Sequence, residues 1–220
     1  MPDMHEPETL DALRVQLAPA IADAAAFDGW SAEAVAQAAR MAGVDPELAA
    51  FAFRDGQMAM IRAWIGHVDA QMAHAVPAAS LAGLPIRERI RRLVMARLDA
   101  AAGREEALAR ALAIMALPRN LAASTRLGWH SADAMWRLAG DTATDYNHYT
   151  KRAILAGIYA ATLQVFVRDR TETKEETRAF LDRQIEGIMR FEKAKASLLR
   201  PAEERFSLAR LLGRARYPAR

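Results

Sequence analysis

An all-α fold follows from two features of the chain. Of its 220 residues, 50 are Ala, the strongest helix former, and only 7% are the aromatics that strands favour. Gly, Pro and capping residues cut the rest into about ten helical stretches with short connections and no long linker. Hydrophobic residues at 52% and charged residues at 26% are ordinary for a folded globular protein of one large or two small domains.

The first helix spans DALRVQLAPAIADAAAF and stops near Asp28-Gly29. Ser31 is placed to cap SAEAVAQAARMAG, whose Val35, Ala38, Ala39 and Ala42 form a narrow apolar stripe and whose Gly43 ends it. Asp45-Pro46 starts a third, short helix, with Asp as cap and Pro at the first helical position. GQMAMIRAWIGHVDAQMAHAV is longer and ends before Pro77; PIRERIRRLVMARLDAAAG and REEALARALAIMALP follow, the second stopped by Pro118. Two short helices are expected around Leu121–Leu127 and Ala132–Leu138. The segment AGDTATDYNHYTKRAILAGIYAATLQVFVRD comes next, its C-terminal half the most apolar stretch of the chain, and Thr173 with Glu176 reads as a capping box opening TKEETRAFLDRQIEGIMRFEKAKASLL. Pro201 separates a basic tail, so the expected units are 1–54, 55–199 and 200–220.

With no Cys there is no disulfide, thiolate nucleophile or Cys-ligated metal. The charge-free run Ala153 to Val167 is 15 residues, short of the ~20 needed to span a bilayer. The acidic start MPDMHEPE has neither the basic, apolar pattern of a secretory signal nor the Arg-rich pattern of an organellar presequence, so a cytoplasmic protein is expected. Charge is distributed unevenly: residues 1–53 carry −7 and residues 151–220 carry +7. An anionic partner is therefore expected at the C-terminal end.

The phrase Gly29-Trp30-Ser31, the turn Ala42-Gly43-Val44 and the short helix ending Phe51-Ala52-Phe53 give the first three helices a helix-turn-helix layout that looks like the N-terminal domain of TetR-type regulators. Its chemistry opposes DNA binding. Duplex affinity draws on Lys and Arg contacts to phosphate, and Met41 to Phe53 contains no basic residue. A retained scaffold is the favoured reading of this unit; a ligand-responsive TetR-type repressor is the alternative.

A second pattern runs through Ala116-Leu117-Pro118-Arg119-Asn120, Met135-Trp136, Ala139-Gly140-Asp141, Asp145-Tyr146-Asn147-His148-Tyr149-Thr150-Lys151-Arg152, Leu155-Ala156, Tyr159 and Phe180-Leu181-Asp182-Arg183. In order and spacing it resembles the ubiquinone (coenzyme Q) biosynthesis accessory family, which has a TetR-like fold and acts as lipid-binding partner of the demethoxyubiquinone hydroxylase. The similarity extends from about Leu10 to Leu199. It implies that a patch around Asp145, Tyr146, Asn147, His148, Tyr149, Lys151 and Arg152 docks the hydroxylase; eukaryotic members of the family carry Trp in place of His148.

On helical spacing alone, Asp145, His148, Tyr149 and Arg152 fall on one face, which reads either as a solvated helix start or as an interface. Asp145 and His148 also form a D-x-x-H pair, but no second such pair exists among the five His, and there is no G-x-S-x-G or Gly-rich phosphate loop. No metal, cofactor or catalytic constellation is expected, and any hydroxylation chemistry would belong to the partner.

The charge-free run Ala153 to Val167 is expected to be buried on nearly all sides. Its small residues Ala153, Ala156, Gly157, Ala160 and Ala161 leave space either for close helix packing or for a ligand. If a cavity forms, Leu117, Leu121, Leu127, Trp129, Met135 and Trp136, with Leu155, Ile158, Tyr159, Thr162 and Phe166 of the run itself, are the expected wall around an isoprenoid quinone intermediate or phospholipid tail.

In the tail, Leu208, Leu211, Leu212 and Ala215 share one helical side, with Arg210 and Arg214 opposite. Arg205, Phe206, Leu208, Arg210, Leu211, Leu212 and Arg214 are thus candidates for contact with an anionic membrane surface, although Phe206 falls off the apolar side and a solvated tail fits too. With what the resemblance implies, these features lead to the expectation of a homodimeric, non-catalytic lipid carrier, peripheral on the inner face of the plasma membrane, that presents a quinone intermediate to the hydroxylase.

Overall fold

Local chemistry sets the helix ends. In the computed structural model, which describes residues 9–142 and 146–198, the Ala12 N–H donates to Thr9 Oγ1 at 3.2 Å to open α1 (Leu10–Asp28), and Gly29 at φ 69° closes it. Ser31 Oγ accepts from the Ala34 N–H at 3.3 Å ahead of α2 (Ala32–Ala42), with left-handed Gly43 behind. Asp45 Oδ1 accepts from the Glu47 N–H at 2.9 Å to start α3 (Pro46–Ala52). α4 (Gln57–Ala75), α5 (Ile86–Ala101) and α6 (Glu105–Met115) follow, then α7 (Leu121–Leu138), α8 (Tyr146–Phe166) and α9 (Glu175–Leu198). Single 3₁₀ turns at Ala78–Leu81 and Pro118–Asn120 complete the described elements.

One packed unit runs to Leu181, and a second begins at Asp182, within α9. In the first unit, α1 is a central strut that packs on α2, α3, α4 and α6. Trp30 locks the helix-turn-helix part to the rest: it is buried, and its Nε1–H donates to the Ala107 carbonyl at 3.0 Å. Arg104 adds a two-pronged grip on Asp23, at 2.6 and 3.1 Å.

Three expectations need correction. The two short helices are one, α7, which runs through Gly128 and Ser131 without a break. A mid-helix Gly costs about 1 kcal/mol relative to Ala. Burial of Leu127, Ser131, Ala132 and Met135 along the same face offsets that cost.

The capping box at Thr173 and Glu176 does not form in the expected way. Buried Asp169 instead accepts from the Thr171 and Thr177 backbone N–H groups, at 3.0 and 2.9 Å, and from both hydroxyls. Thr171 Oγ1 accepts from the Glu175 N–H at 2.9 Å, and the Thr173 hydroxyl turns to the Glu175 carboxylate.

Nor is the charge-free run buried all round. Leu155, Ile158, Tyr159, Thr162, Leu163 and Phe166 are buried, whereas Ala153, Gly157, Ala160, Ala161 and Gln164 form an exposed face of α8. Absence of charge did not imply burial, because the small residues on this face leave little apolar surface to hide.

Candidate functional site

Between α4, α5, α6, α7 and α8 lies a cavity of about 390 Å³. That is within the range of small-molecule sites. α4 contributes the stripe Ile61, Trp64, Ile65 and Val68, at the i, i+3, i+4, i+7 spacing that aims one helix face at a common centre. α6 supplies Leu108, Leu112 and Met115, and α8 supplies Ala156, Tyr159 and Leu163. Ala116, Thr125 and Ala160 on its wall are exposed, so the cavity reaches the surface beside them, while Trp64, Arg97 and Ser131 are buried.

Polar groups gather at the buried side. Arg97 is 2% exposed, forms an ion pair with Asp69, and holds its guanidinium 4.8 Å from the centre of the Tyr159 ring. The Ser131 hydroxyl donates to Asp69 Oδ2 at 3.3 Å.

The wall differs from the one expected. Leu127 and Tyr159 line the cavity. Met135, Leu155, Ile158, Thr162 and Phe166 are buried and Leu117, Trp129 and Trp136 half-buried outside its lining, and Leu121 is 52% exposed. The contributions of α4, α5 and α6 were missed because their apolar stripes read as ordinary core. One signal was available: Arg97 sits in the stripe Leu93, Val94, Leu98, Ala101, where a cation has to be paired if buried.

The second assembly joins α7 and α8. Arg152 is buried and donates from Nε to Asp133 Oδ1 at 2.6 Å and from Nη1 to Asp141 Oδ2 at 3.0 Å. Lys151 Nζ donates to Asp141 Oδ1 at 2.8 Å, and Arg137 pairs with Asp133 at 2.7 Å. Burial opposes ionisation of both carboxylates. The Arg152 hydrogen bond and the Arg137 and Arg152 charges outweigh it at Asp133, and bonds from Lys151 and Arg152 do so at Asp141, so both pKa values fall below the usual 3.8. The Trp136 indole N–H donates to the Lys151 carbonyl at 3.1 Å, and Lys151 Nζ stands 5.4 Å from that ring's centre.

Outside this ionic knot is an aromatic group. Tyr149, 62% exposed, lies 6.0 Å from Trp129 and 5.1 Å from His148 between ring centres. Arg152 therefore does not share an exposed face with His148 and Tyr149. Two carboxylates draw it inward, and it supports the patch from beneath. Lys151 is partly exposed at the rim, Tyr146 and Asn147 form the first turn of α8, and Asp145 lies outside the described residues. So does the expected membrane segment containing Arg205, Phe206, Leu208, Arg210, Leu211, Leu212 and Arg214. Among the described residues no His, Asp and Glu group could hold a metal ion, and no helix is long and apolar enough to cross a membrane.

Comparison with known proteins gives both sequence and fold relatives. The COQ9 family model matches residues 121–192, the span of α7, α8 and most of α9. The rat protein named "Ubiquinone biosynthesis protein COQ9, mitochondrial" is 34% identical over 167 residues, covering 73% of this chain and 54% of its own length. The human protein of that name is 32% identical over 168 residues, covering 73% and 52%. The chain thus spans about half the length of the curated relatives it matches. A TetR transcriptional regulator from Nitrosomonas europaea superposes with a TM-score of 0.62 at 22% identity, covering 79% of this chain and 95% of that one, so the fold is TetR-like.

Proposed function

We propose, for a COQ9 relative whose family segment spans residues 121–192 and whose fold is TetR-like, that the chain is a non-catalytic lipid-binding accessory protein of ubiquinone biosynthesis. It holds an apolar lipid, such as an isoprenoid quinone intermediate, and presents it to the demethoxyubiquinone hydroxylase. The observation that carries this reading is the cavity of about 390 Å³, walled by apolar side chains and open at one side.

The rest of the molecule supports the same work. The Trp129, His148 and Tyr149 group offers the hydroxylase an exposed aromatic patch on a rigid ionic base, the residue types that anchor interfaces. The exposed small-residue face of α8 suits close approach of a second copy in a homodimer. Residues 200–220, basic and amphipathic in sequence, are the proposed contact with an anionic membrane surface on its inner face. An isoprenoid tail gains ~0.8 kcal/mol per buried CH₂ in lipid, so an apolar conduit at the headgroup level eases its transfer to an enzyme.

The likeness to a transcriptional regulator favours DNA binding as a second reading. Against it stand the −7 charge of residues 1–53 and the exposed Met41, Leu48 and Phe51 in and beside the would-be reading helix. Native mass spectrometry of the purified chain, with uptake of added isoprenyl quinones, tests the first reading; co-purified lipid and saturable uptake are expected. A lipid-free protein that takes up no quinone, or tight sequence-selective binding of a DNA duplex at physiological salt, overturns it.

A further inference from the structure

The connection between α4 and α5 turns apolar groups outward. From Pro77 to Ile86 the chain reads PAASLAGLPI, without a charge. Pro77, Ala78, Ala79, Ala82, Pro85 and Ile86 are exposed, Ile86 by 42%. The turn is nonetheless firmly built. Leu81 at its centre is buried, and the Ser80 N–H and hydroxyl both donate to the Pro77 carbonyl, at 2.8 and 2.7 Å. Arg89 Nε donates to the Leu84 carbonyl at 2.8 Å, and its Nη1 ties the turn to the Ala139 carbonyl at the end of α7. Leu81 and Arg89 thus hold an apolar tip in the solvent in one shape.

Positive charge stands beside that tip. Between Asp69 and Asp99 the sequence has one acid, Glu88, against five arginines. Arg87 and Arg92 are exposed and Arg91 half-buried on the first two turns of α5. Glu88 reaches Arg92 at 3.0 Å and Arg91 at 3.9 Å, so one carboxylate is shared and the surface keeps a positive excess. The place in the fold matters too. Arg89 joins the turn to Ala139, and Asp141, two residues on, holds Lys151 and Arg152 at the start of α8, where His148 and Tyr149 stand.

The chemistry selects the partner. A nucleic acid would meet the arginines but gain little from Ala, Pro and Ile. A protein interface is anchored by aromatic side chains in pockets, and residues 77–92 contain no Phe, Tyr or Trp. An anionic bilayer uses both features: its headgroup layer takes up small apolar groups without shape complementarity, and its phosphates attract guanidinium groups. Resting on the reading above that the chain works at a membrane, we propose that the α4–α5 turn is a second membrane contact, separate from residues 200–220. Pro85 and Ile86 enter the headgroup layer, Arg87, Arg91 and Arg92 lie at its phosphates, and the end of the bundle that carries the start of α8 is held toward the bilayer.

The absence of Cys from the chain gives a clean test. Full-length Ile86→Cys carries an environment-sensitive fluorophore. Ala102→Cys, exposed beyond the far end of the 16-residue helix α5 and so about 24 Å away, carries the control label. With phosphatidylcholine vesicles containing phosphatidylglycerol, the label at position 86 is expected to shift to the blue and to be quenched by bromine on the lipid acyl chains, and the label at 102 to do neither. Arg87→Glu is expected to weaken sedimentation with these vesicles about tenfold or more. An aqueous spectrum at position 86 on vesicle-bound protein, or undiminished sedimentation of Arg87→Glu, overturns the second contact and leaves membrane binding to residues 200–220. A label at 86 that responds to a DNA duplex and not to vesicles gives the arginines to nucleic acid and overturns it too. Failure of the unlabelled wild type to sediment with the vesicles overturns both this contact and the membrane reading on which it rests.

Discussion

Arg152 and Asp133 lie 19 positions apart yet meet at 2.6 Å, with the guanidinium 2% exposed and the carboxylate 14%. This pair, with Asp141 on the other prong of the arginine, fixes the start of α8 against α7. Removing Arg152 would take the innermost cation from two largely buried carboxylates, leaving only the more exposed Arg137 on Asp133 and Lys151 on Asp141. Arg152→Ala is therefore expected to lower stability by about 3–5 kcal/mol, read from urea unfolding. A change under 1 kcal/mol would show that the knot is not structural.

The same carboxylates set an acid limit. Asp133 and Asp141 are shifted below 3.8, and Asp169 is driven much further down: burial opposes its charge, but hydrogen bonds from Thr171 and Thr177 prevail. A depressed folded-state pKa contributes stability that is fully present above the unfolded value and lost as pH falls through the folded one. Urea midpoints are expected to hold from pH 7 to about 5 on account of these groups and to fall below about pH 4. Asp169→Asn should lower the midpoint at pH 7 and flatten the acid decline; an unchanged slope would remove Asp169 from this role.

Tyr149 is the exposed member of the aromatic patch, so its loss should cost the fold little. Tyr149→Ala is expected to stay within about 0.5 kcal/mol of wild type. It should nonetheless weaken capture of the hydroxylase at least tenfold, as hot-spot truncations do. Surface plasmon resonance reads the second effect, and undiminished capture would place the interface elsewhere.

Gly140 has φ 86°, where side chains are strained, and a Cβ there would come within 3.2 Å of Arg89 Nη1. That nitrogen donates to the Ala139 carbonyl at 2.8 Å. Gly140→Ala should cost about 1–3 kcal/mol in thermal or urea unfolding. A neutral substitution would mean that the turn before Asp141 relaxes freely.

What could be seen in the sequence was largely local. Ser31, Asp45-Pro46, Gly29 and Gly43 act within one turn of where they stand, so the helix-turn-helix layout was legible from them. The gap expected between Leu127 and Ala132 does not exist because α7 is held there by contacts with other elements, Ser131 to Asp69 among them. Arg152 looked like a surface residue until Asp133 and Asp141 were placed around it. The cavity was anticipated on α7 and α8, but much of its wall comes from α4 and α6, whose stripes carry no mark separating cavity wall from packed core. Periodicity tells which face turns inward, not what it meets there.

Gly128 gives direct access to the central claim. It lines the cavity from the middle of α7, and a Cβ there meets no heavy atom within 4 Å, so the side chain of Gly128→Leu should project into the space and obstruct it while improving helix propensity by up to about 1 kcal/mol. The decisive measurement is the amount of quinone bound per chain, by extraction after incubation with isoprenyl quinone, for wild type and Gly128→Leu of equal or higher melting temperature. The account predicts a loaded wild type and a folded, nearly empty variant; equal loading of the two would contradict it.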